Sequence, residues 1–170
     1  LRQIGIATQT YLNDHDDVLF QPTADWMTDL HPKYLGSWKV FLSPFDRRSP
    51  SENDTSAPIS YGLNANANTS KGALSINQIM KPSEFILFAP AQPFIKTAGE
   101  TSATAPPNSA GPGGSNAGGT SANASYIGAC FADLHVENLP GTTFHSDAPP
   151  PGSGDSQSAR WHPDPTNPSL

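Results

Sequence analysis

The first twelve residues carry the apolar pattern of an amphipathic helix. The positions on one side recur with the helical period of about 3.6 residues, and they are Leu1, Ile4, Thr8, Tyr11 and Leu12. Most of the positions between them are polar, although Ile6 also falls away from this stripe. The pattern therefore predicts one helix over residues 1 to about 15, with its apolar side resting on a sheet.

The beginning of this pattern does not look like the start of a helix. No methionine and no capping residue precedes Leu1, whereas helices commonly begin after Ser, Thr, Asp or Asn. We therefore expect residues 1–20 to be the C-terminal half of a longer helix from which an upstream part has been removed. That upstream part would decide where the protein is located.

Two continuous apolar runs predict the main strands of a sheet. Residues 85–89, Phe-Ile-Leu-Phe-Ala, are apolar on both faces, and residues 126–131, Tyr-Ile-Gly-Ala-Cys-Phe, form the second run. Residues 135–139 are expected to return as a hairpin with the second run, and residues 59–63 are a further candidate strand. Cys130 is expected to be buried as a small hydrophobic residue rather than to act as a catalytic thiol.

Shorter apolar clusters and polar stretches fill the rest of the chain. They predict a short helix around residues 26–30, a strand or buried turn at residues 38–42 and a helical turn at residues 74–79. Residues 97–124 contain no large apolar side chain and are expected to be a long loop or a disordered segment. The Pro-rich tail, residues 146–170, is expected to dock on the head through Trp161.

Composition indicates one domain with a modest core. The chain has 170 residues, of which 35% are hydrophobic, and it contains 14 glycines and 18 prolines, a share that predicts long irregular loops. The formal charge of −6, with nine Lys and Arg in total, argues against binding to a nucleic-acid backbone. The sequence contains no apolar run of the length that spans a bilayer, so we expect this chain to be soluble.

Candidate chemical sites are weak. Asp14, His15, Asp16 and Asp17 suggest a metal cluster, but the glycine and glutamate of an EF-hand loop are missing, and a solvated helix end explains them better. The five histidines lack the spacing of a zinc site, and no nucleophile elbow, phosphate loop or dinucleotide fingerprint occurs. We therefore predict no catalytic residues and no enzymatic activity.

Clustered aromatic residues leave one binding function open. Trp26, Tyr34, Trp38 and Phe41 lie close together in the sequence and could form a platform on which sugar rings stack. Packing within the core is the more frequent role of such residues, and we favour it. An exposed aromatic row would support a polysaccharide-binding module, whereas a deep pocket with converging carboxylates would support a hydrolase.

Four stretches of the chain together resemble a bacterial family. Residues 1–17 contain Leu-Arg-Gln-Ile-Gly-Ile-Ala and then Tyr-Leu-Asn-Asp-His-Asp-Asp. Residues 41–46, Phe-Leu-Ser-Pro-Phe-Asp, and 60–64, Ser-Tyr-Gly-Leu-Asn, are similar to the signatures Phe-x-Cys-Pro-x-Asp and Ser-Tyr-Gly-x-Asn. Residues 131–136, Phe-Ala-Asp-Leu-His-Val, are similar to a Phe-Ala-Asp-Gly-His-Val hairpin. The family is the prepilin-type, type II secretion pseudopilin-like proteins with a C-terminal His-x9-Asp-Gly motif.

The chain departs from this family pattern at three positions. Ser43 stands where a cysteine is usual, Leu134 replaces the glycine of the hairpin, and Asn123 stands where the motif histidine would be. Because a leucine is strained in a two-residue Asp-Gly turn, we expect a longer turn or one of another type. The positions that match or replace family motifs are Pro44, Tyr61, Gly62, Asn64, Asn123, Asp133 and His135.

The resemblance implies a pilin-like α+β fold, in which a long N-terminal helix packs on a small antiparallel sheet with long irregular loops. In such proteins a basic leader is cleaved, the new N-terminus is methylated, and an apolar half-helix lies in the inner membrane or the filament core. The implied division is a helix over residues 1–20, a head over residues 21–145 with an insert at about 97–124, and the tail 146–170.

The function that the resemblance implies is structural. The chain would be a pseudopilin or minor pilin-like subunit of a type II secretion or type IV pilus-like filament. Its partners would be other such subunits and, through the removed half-helix, the inner membrane, with the head facing the periplasm or the exterior of the bacterial cell envelope. The helix face expected to contact neighbouring subunits is Leu1, Ile4, Tyr11 and Leu12. The alternative is a surface-anchored module that binds a ligand or polysaccharide.

Calcium is the one cofactor that the resemblance leaves open, because some pseudopilin heads bind it near the C-terminal sheet. Asp147, Asp155 and Asp164 are the candidate oxygen ligands, at a spacing that has almost no specificity. Otherwise we predict no cofactor, no metal site and no nucleic-acid partner.

Overall fold

A computed structural model describes residues 1–20, 26–44, 46, 48–54, 56–69, 72–95, 104–105, 126–140 and 158–167. Over these residues the chain has an α+β fold, in which the first helix lies on one face of a small sheet. The helices are α1 (Arg2–Asp14), α2 (Trp26–Leu30) and α3 (Ser158–Trp161), with 3₁₀ turns at Trp38–Phe41, Ala65–Ala67 and Ile76–Gln78. The helix predicted at the start of the chain is thus confirmed, with a length of 13 residues.

The strands form one main sheet and a small ribbon. They are β1 (Pro58–Asn64), β2 (Asn68–Thr69), β3 (Gly72–Ala73), β4 (Ile86–Ile95), β5 (Thr104–Ala105), β6 (Tyr126–Phe131) and β7 (Val136–Pro140). The main sheet has the order β5-β1-β4-β6-β7, and its four longer strands pair antiparallel. β5 lies parallel to β1 at one edge, while β2 and β3 pair with each other.

The two apolar runs are neighbouring strands inside this sheet, as predicted. Phe88 pairs with Cys130, and Ile86 pairs with Phe131, across the β4–β6 ladder. Every side chain from residue 85 to residue 89 is fully buried. A strand that is covered on both faces needs apolar residues on both, which explains why this run shows no alternation.

Parts of the predicted insert and tail lie outside the described residues. Of residues 97–124, the structure describes β5 alone, so the prediction of a loop or disordered segment is not addressed for the others. The motif position Asn123 and the candidate calcium ligands Asp147 and Asp155 also lie outside the described residues. The description of the tail begins at Ser158.

The sheet separates two hydrophobic clusters. Consecutive residues of a strand point to opposite faces, so Cys130 faces the cluster under α1, whereas Ala129 and Phe131 face the other side. The larger cluster, under α1 and α2, includes Tyr11, Phe20, Trp26, Phe41, Phe85 and Phe88. The smaller cluster consists of Ile86, Ala89, Ala129, Phe131, Leu139 and Trp161. Trp161 is fully buried there, as the docking of the tail on the head requires.

Helix α1 approaches the β6–β7 hairpin closely at Gly5. A Cβ atom at this position would lie 3.3 Å from the Cys130 sulfur and 3.3 Å from the Leu134 carbonyl oxygen. These distances are shorter than ordinary contacts of a Cβ atom. The lack of a side chain at residue 5 therefore lets the helix backbone rest directly on the hairpin.

The leucine at position 134 shapes the β6–β7 turn. Leu134 donates its amide to the Phe131 carbonyl (2.8 Å), and Phe131 donates to the His135 carbonyl (2.9 Å), so the loop has three residues and is longer than the two-residue turn. Leu134 has φ 70°, in the left-handed region that favours glycine. Three-residue hairpin loops commonly end with a residue in this conformation. Leu134 therefore holds a strained backbone at the point where the hairpin meets α1.

Replacing Leu134 by Gly and, as a matched control, by Ala tests this strain. Both changes remove a side chain that packs against the α1 cluster, but Ala keeps the penalty of the left-handed region. We expect the Gly variant to be about 1 kcal/mol more stable than the Ala variant in urea denaturation. The opposite order, which is usual within helices and strands, would show that position 134 is unstrained.

The thiol of Cys130 is fully buried, and this burial raises its pKa from 9.0 to about 12. In the unfolded chain the thiol ionises near its ordinary pKa, so unfolding above pH 9 releases a proton that the folded protein retains. The free energy of unfolding must therefore fall as the pH rises from 9 toward the raised pKa.

We expect this group to lower the free energy of unfolding by up to about 1.4 kcal/mol per pH unit in that range. Urea denaturation of the native protein and of Cys130→Ala, compared at several pH values from about 8 to about 10, isolates the contribution. The native protein should show the steeper loss. Parallel pH profiles would mean that the thiol is not protected by burial.

Candidate assembly surface

The apolar stripe of α1 packs into the chain's own core. Ile4, Tyr11 and Leu12 are no more than 6% exposed, and Leu1 is partly buried against the same cluster. Side chains that are buried against the sheet are not available to a neighbouring subunit. This burial corrects the prediction that Leu1, Ile4, Tyr11 and Leu12 form the assembly face, because the sheet already covers these narrow apolar positions.

The opposite side of α1 is exposed and carries little charge. Its exposed residues are Arg2, Gln3, Ile6, Gln9, Thr10, Asn13 and Asp14, and the two charged ones, Arg2 and Asp14, lie at the ends of the helix. Ile6 is 62% exposed, so an apolar side chain lies among these polar ones. Protein surfaces are usually rich in charged residues, whereas the centres of contact surfaces are depleted in them. This side of α1 therefore has the composition of a contact surface.

A groove lies beside the exposed side of α1. It has a volume of about 370 Å³ between Ile6 and Thr10 of the helix on one side and residues 34–37 with Val40 on the other, and we call it the α1 groove. Leu35 and Val40 contribute apolar side chains to its far wall. Its lining, within the described part of the chain, contains no carboxylate. The α1 groove is thus suited to an apolar contact and lacks the acid–base groups of a hydrolase site.

The far wall of the α1 groove is held by Glu52. Its carboxylate accepts hydrogen bonds from the Ser37 hydroxyl (2.6 Å) and from the Trp38 amide (2.9 Å). The bond from Ser37 is the main cause that lowers the pKa of Glu52. Trp38 also donates its indole N–H to Asp54. Two carboxylates of one loop therefore hold the beginning of the Trp38–Phe41 turn in place.

The other end of the wall is tied to the end of α1. Tyr34 donates its hydroxyl to Asp14 (2.8 Å), and the Lys33 ammonium donates to the same oxygen (3.2 Å). Both bonds lower the pKa of Asp14, and the bond from Tyr34 has the larger effect. The ring of His15 stacks on Tyr11 with 3.8 Å between ring centroids. With both ends of the wall fixed, the α1 groove is formed before a partner binds, which reduces the entropy cost of binding.

Several of the family-motif positions have structural roles. Tyr61, Gly62 and Asn64 are buried in β1, and Asn64 donates its amide to the Ile86 carbonyl (2.8 Å) of β4. Pro44 is exposed in the turn that precedes this strand. The structure therefore explains the buried positions by packing and hydrogen bonding within the sheet.

Asp46, from the same signature as Pro44, is the centre of a polar network. Arg48 donates to both of its carboxylate oxygens (3.0 and 2.6 Å), and the Ser60 hydroxyl donates to one of them (2.7 Å). Ser60 in turn accepts the Ser43 amide (3.0 Å). Burial alone would raise the pKa of Asp46, whose side chain is 4% exposed, but these hydrogen bonds hold the pKa below its ordinary value.

Asp133 and His135 lie exposed at the turn of the β6–β7 hairpin. The His135 ring stacks on Phe131 with 4.4 Å between ring centroids, and its Nδ1 atom shares a hydrogen bond with Asp133. Glu137 lies 3.7 Å from the other ring nitrogen. The two motif residues are therefore engaged by neighbours of the same hairpin, in exposed contacts that contribute little stability.

The described residues contain no group of three or more His, Cys, Asp or Glu side chains arranged to hold a metal ion. Asp164, the calcium candidate within the described tail, accepts hydrogen bonds from the amide (2.9 Å) and the hydroxyl (2.6 Å) of Thr166. The bond from the hydroxyl is the largest of the causes that lower the pKa of Asp164. Asp16 and Asp17 are exposed just after α1, at the polar helix end.

The clustered aromatic residues do not form a binding platform. Trp26, Trp38 and Phe41 are at most 3% exposed, and Trp26 meets Phe41 edge-on with 5.5 Å between ring centroids. Tyr34 is the partly exposed member of the four and lines the α1 groove. The prediction that these residues pack in the core is confirmed for the two tryptophans and the phenylalanine.

Comparison of the chain with protein-family models, with curated proteins and with solved structures gives no match. Among the helices in the described part of the chain, none combines the length and the apolar character that crossing a bilayer requires.

Ile6 is the sequence signal that points to the α1 groove. In the helical pattern it only weakens the stripe, because it is an apolar residue on the polar side. The far wall, residues 34–37 and Val40, comes from a separate part of the chain. Periodicity within one helix carries no information about such a neighbour, so the groove itself could not be predicted.

The Asp46 network yields a prediction for stability. We expect Asp46→Asn to lower the free energy of unfolding by roughly 2 kcal/mol at pH 7, because a charged acceptor of several hydrogen bonds is lost. A carboxyl with a lowered pKa stabilises the fold above its unfolded pKa and loses this effect as the pH falls. The difference between the variant and the native protein should therefore shrink toward pH 3, as measured by urea denaturation.

Glu84→Gln is the matched control, because it also removes one negative charge. Glu84 forms an exposed ion pair with Lys81 (3.4 Å), and such pairs contribute less than about 1 kcal/mol. Equal losses in the two variants, or a loss in Asp46→Asn that does not change with pH, would contradict a stabilising role of the buried charge.

Proposed function

We propose that the chain is the head of a structural, pseudopilin- or minor pilin-like subunit that assembles through the exposed side of α1. The observation that carries this proposal is the exposed side chain of Ile6 at a preformed apolar groove. A neighbouring subunit that covered Ile6 and entered the α1 groove would remove apolar surface from water and displace few charges. Both effects favour a protein partner over a charged or strongly polar ligand.

The two parts of this surface differ in shape, and this difference favours a filament. Gln9 and Asn13 lie on the outward, convex part of the helix outside the groove, whereas Ile6, Leu35 and Val40 line its concave part. If one copy presented its convex helix side to the concave wall of the next copy, the contact would be heterologous. Heterologous contacts that do not close into a ring produce open helical filaments.

The strength of such a contact also suits repeated assembly. Burying an isoleucine side chain contributes about 1.5–3 kcal/mol, whereas association costs at least about 4 kcal/mol in lost translational and rotational freedom. A stable pair of proteins buries about 800 Å² on each partner. The α1 surface would therefore need further contacts, and the upstream half-helix that the resemblance implies would supply them in the filament core.

The α+β fold supports the proposal at a coarser level. Helix α1 lies on a small antiparallel sheet, and the motif segments of the resemblance lie in β1 and in the β6–β7 hairpin. We extend this to a pilin-like subunit whose helix continues upstream from a methylated N-terminus into the inner membrane or the filament. The head would face the periplasm or the exterior, and the partners would be other pilin or pseudopilin subunits.

A charge placed at Ile6 tests the proposal. In a form that carries the upstream helix, Ile6→Lys should reduce incorporation into filaments at least about tenfold, because the charge must be desolvated in the contact. Incorporation is measured by crosslinking in cells that assemble the filament. The head should remain folded, since a substitution at an exposed helix position changes stability by about 0.5 kcal/mol or less.

Asn77→Lys is the matched control for this experiment. Asn77 is exposed in the Ile76–Gln78 turn, and it belongs neither to α1 nor to the lining of the α1 groove. It therefore adds the same charge to the protein without obstructing the proposed contact. Normal incorporation of both variants, or equal loss in both, would exclude the α1 groove as the assembly surface.

A further inference from the structure

The second face of the sheet is covered by a short segment from the end of the chain. The apolar patch on this face, which we call the Trp161 socket, consists of Ile86, Ala89, Ala129, Phe131 and Leu139. The segment over residues 158–167 covers it, with Ala159, Trp161 and Pro163 buried. Trp161 is fully buried, so one large aromatic side chain anchors the segment.

Hydrogen bonds to the backbone of the segment complete its binding. Asn66 donates its side-chain amide to the Trp161 carbonyl (2.7 Å), and the buried Asn64 amide lies within 3.4 Å of the same oxygen. Met80 donates its backbone amide to the Pro163 carbonyl (2.9 Å). A buried aromatic anchor combined with bonds to the peptide backbone is how proteins commonly bind short peptides. The Trp161 socket therefore has the design of a peptide-binding site.

The sequence that joins the segment to the sheet is long enough to reach another molecule. Seventeen residues, 141–157, separate the end of β7 from Ser158. A chain of this length spans at most about 60 Å. The contacts of the segment with its socket are the same whether the segment comes from the same chain or from a second copy. Whether the segment binds the socket of its own chain or that of a second copy therefore depends on concentration. A short connection gives the chain's own segment an effective concentration on the order of millimolar, which a second copy must match.

We propose that the Trp161 socket of one copy accepts residues 158–167 of a second copy, so that the end of each chain links it to a neighbour. At low concentration the segment occupies the socket of its own chain. When copies are held together at millimolar local concentration, the same segment exchanges between them, as in domain swapping. The occupant is this chain's own segment, because the structure shows its aromatic anchor and its backbone carbonyls matched to the socket. The exchange does not depend on the α1 groove, although a filament would supply the required concentration.

A crosslinking experiment between two variants tests the exchange. Met80→Cys places a thiol at the edge of the socket, where the native side chain is 61% exposed, and Asp164→Cys places one next to Pro163 in the segment. The two purified chains are mixed and treated with a short bismaleimide. We expect a crosslinked heterodimer whose yield rises at least about fivefold between micromolar and millimolar protein. A single chain that carries both substitutions is the control that shows whether the crosslinker can join the two thiols when the segment occupies its own socket. Cys130 is left unchanged because it is buried.

The position of a second substitution decides between exchange and random collision. Trp161→Ala in the Asp164→Cys chain removes the anchor of the donated segment and should reduce the heterodimer at least about tenfold. The same change in the Met80→Cys chain frees the socket from its own segment and should increase the heterodimer. Trp161→Leu keeps an apolar anchor and is used in the same two positions if the alanine variant does not fold.

Two results would overturn the proposal. The first is a heterodimer yield that is the same for both positions of the Trp161 substitution. The second is a crosslink within the chain of the double variant, together with no heterodimer from the two mixed single variants at millimolar concentration. The segment would then be a permanent cover of its own sheet. The purified chain is used throughout, so a failure of the Ile6→Lys test in filaments does not affect this outcome.

Discussion

Helix α1 rests on the β6–β7 hairpin with no side chain of its own at Gly5, and this contact sets the orientation of the helix. A Cβ atom at Gly5 would meet the Cys130 sulfur and the Leu134 carbonyl oxygen, both at 3.3 Å. With that side of the helix held against the sheet, Ile4 and Tyr11 enter the core. The same orientation leaves Ile6 on the outside, beside the wall of the α1 groove. The close packing at one glycine therefore determines which apolar residues fold the chain and which one remains available for a partner.

The sequence predicts the regular elements well because their signals are local. The helical period of residues 1–12 predicts α1, and the continuous apolar run at residues 85–89 predicts a strand with both faces buried. The strain at Leu134 can also be anticipated, since a leucine stands where the resembled hairpin has glycine. Each of these inferences uses neighbours within a few positions of the chain, where stereochemistry acts directly.

The arrangement of surfaces cannot be predicted in this way. The pattern of α1 leads one to expect an apolar stripe that contacts both the sheet and a neighbouring subunit. Side chains of a narrow stripe that are buried against the sheet cannot also contact a neighbour. The choice between these roles depends on the close approach at Gly5, which involves residues more than 120 positions away. The network of Asp46, Arg48 and Ser60 likewise needs a loop and a strand brought together. Where a motif match points to Tyr61 and Asn64, the structure shows packing roles for them, so the match informs the fold more than any site.

The two proposed contact surfaces lie on opposite faces of the sheet, and this placement has a consequence for assembly. The α1 groove borders the helix above one face, whereas the Trp161 socket lies on the other. A subunit could therefore engage a neighbour through Ile6 and a second neighbour through Trp161 without competition between the sites. Either contact alone is small for a stable complex, but two weak contacts made at once raise the effective concentration for each other. Filament growth and segment exchange would then reinforce each other, even though neither requires the other in the isolated chain.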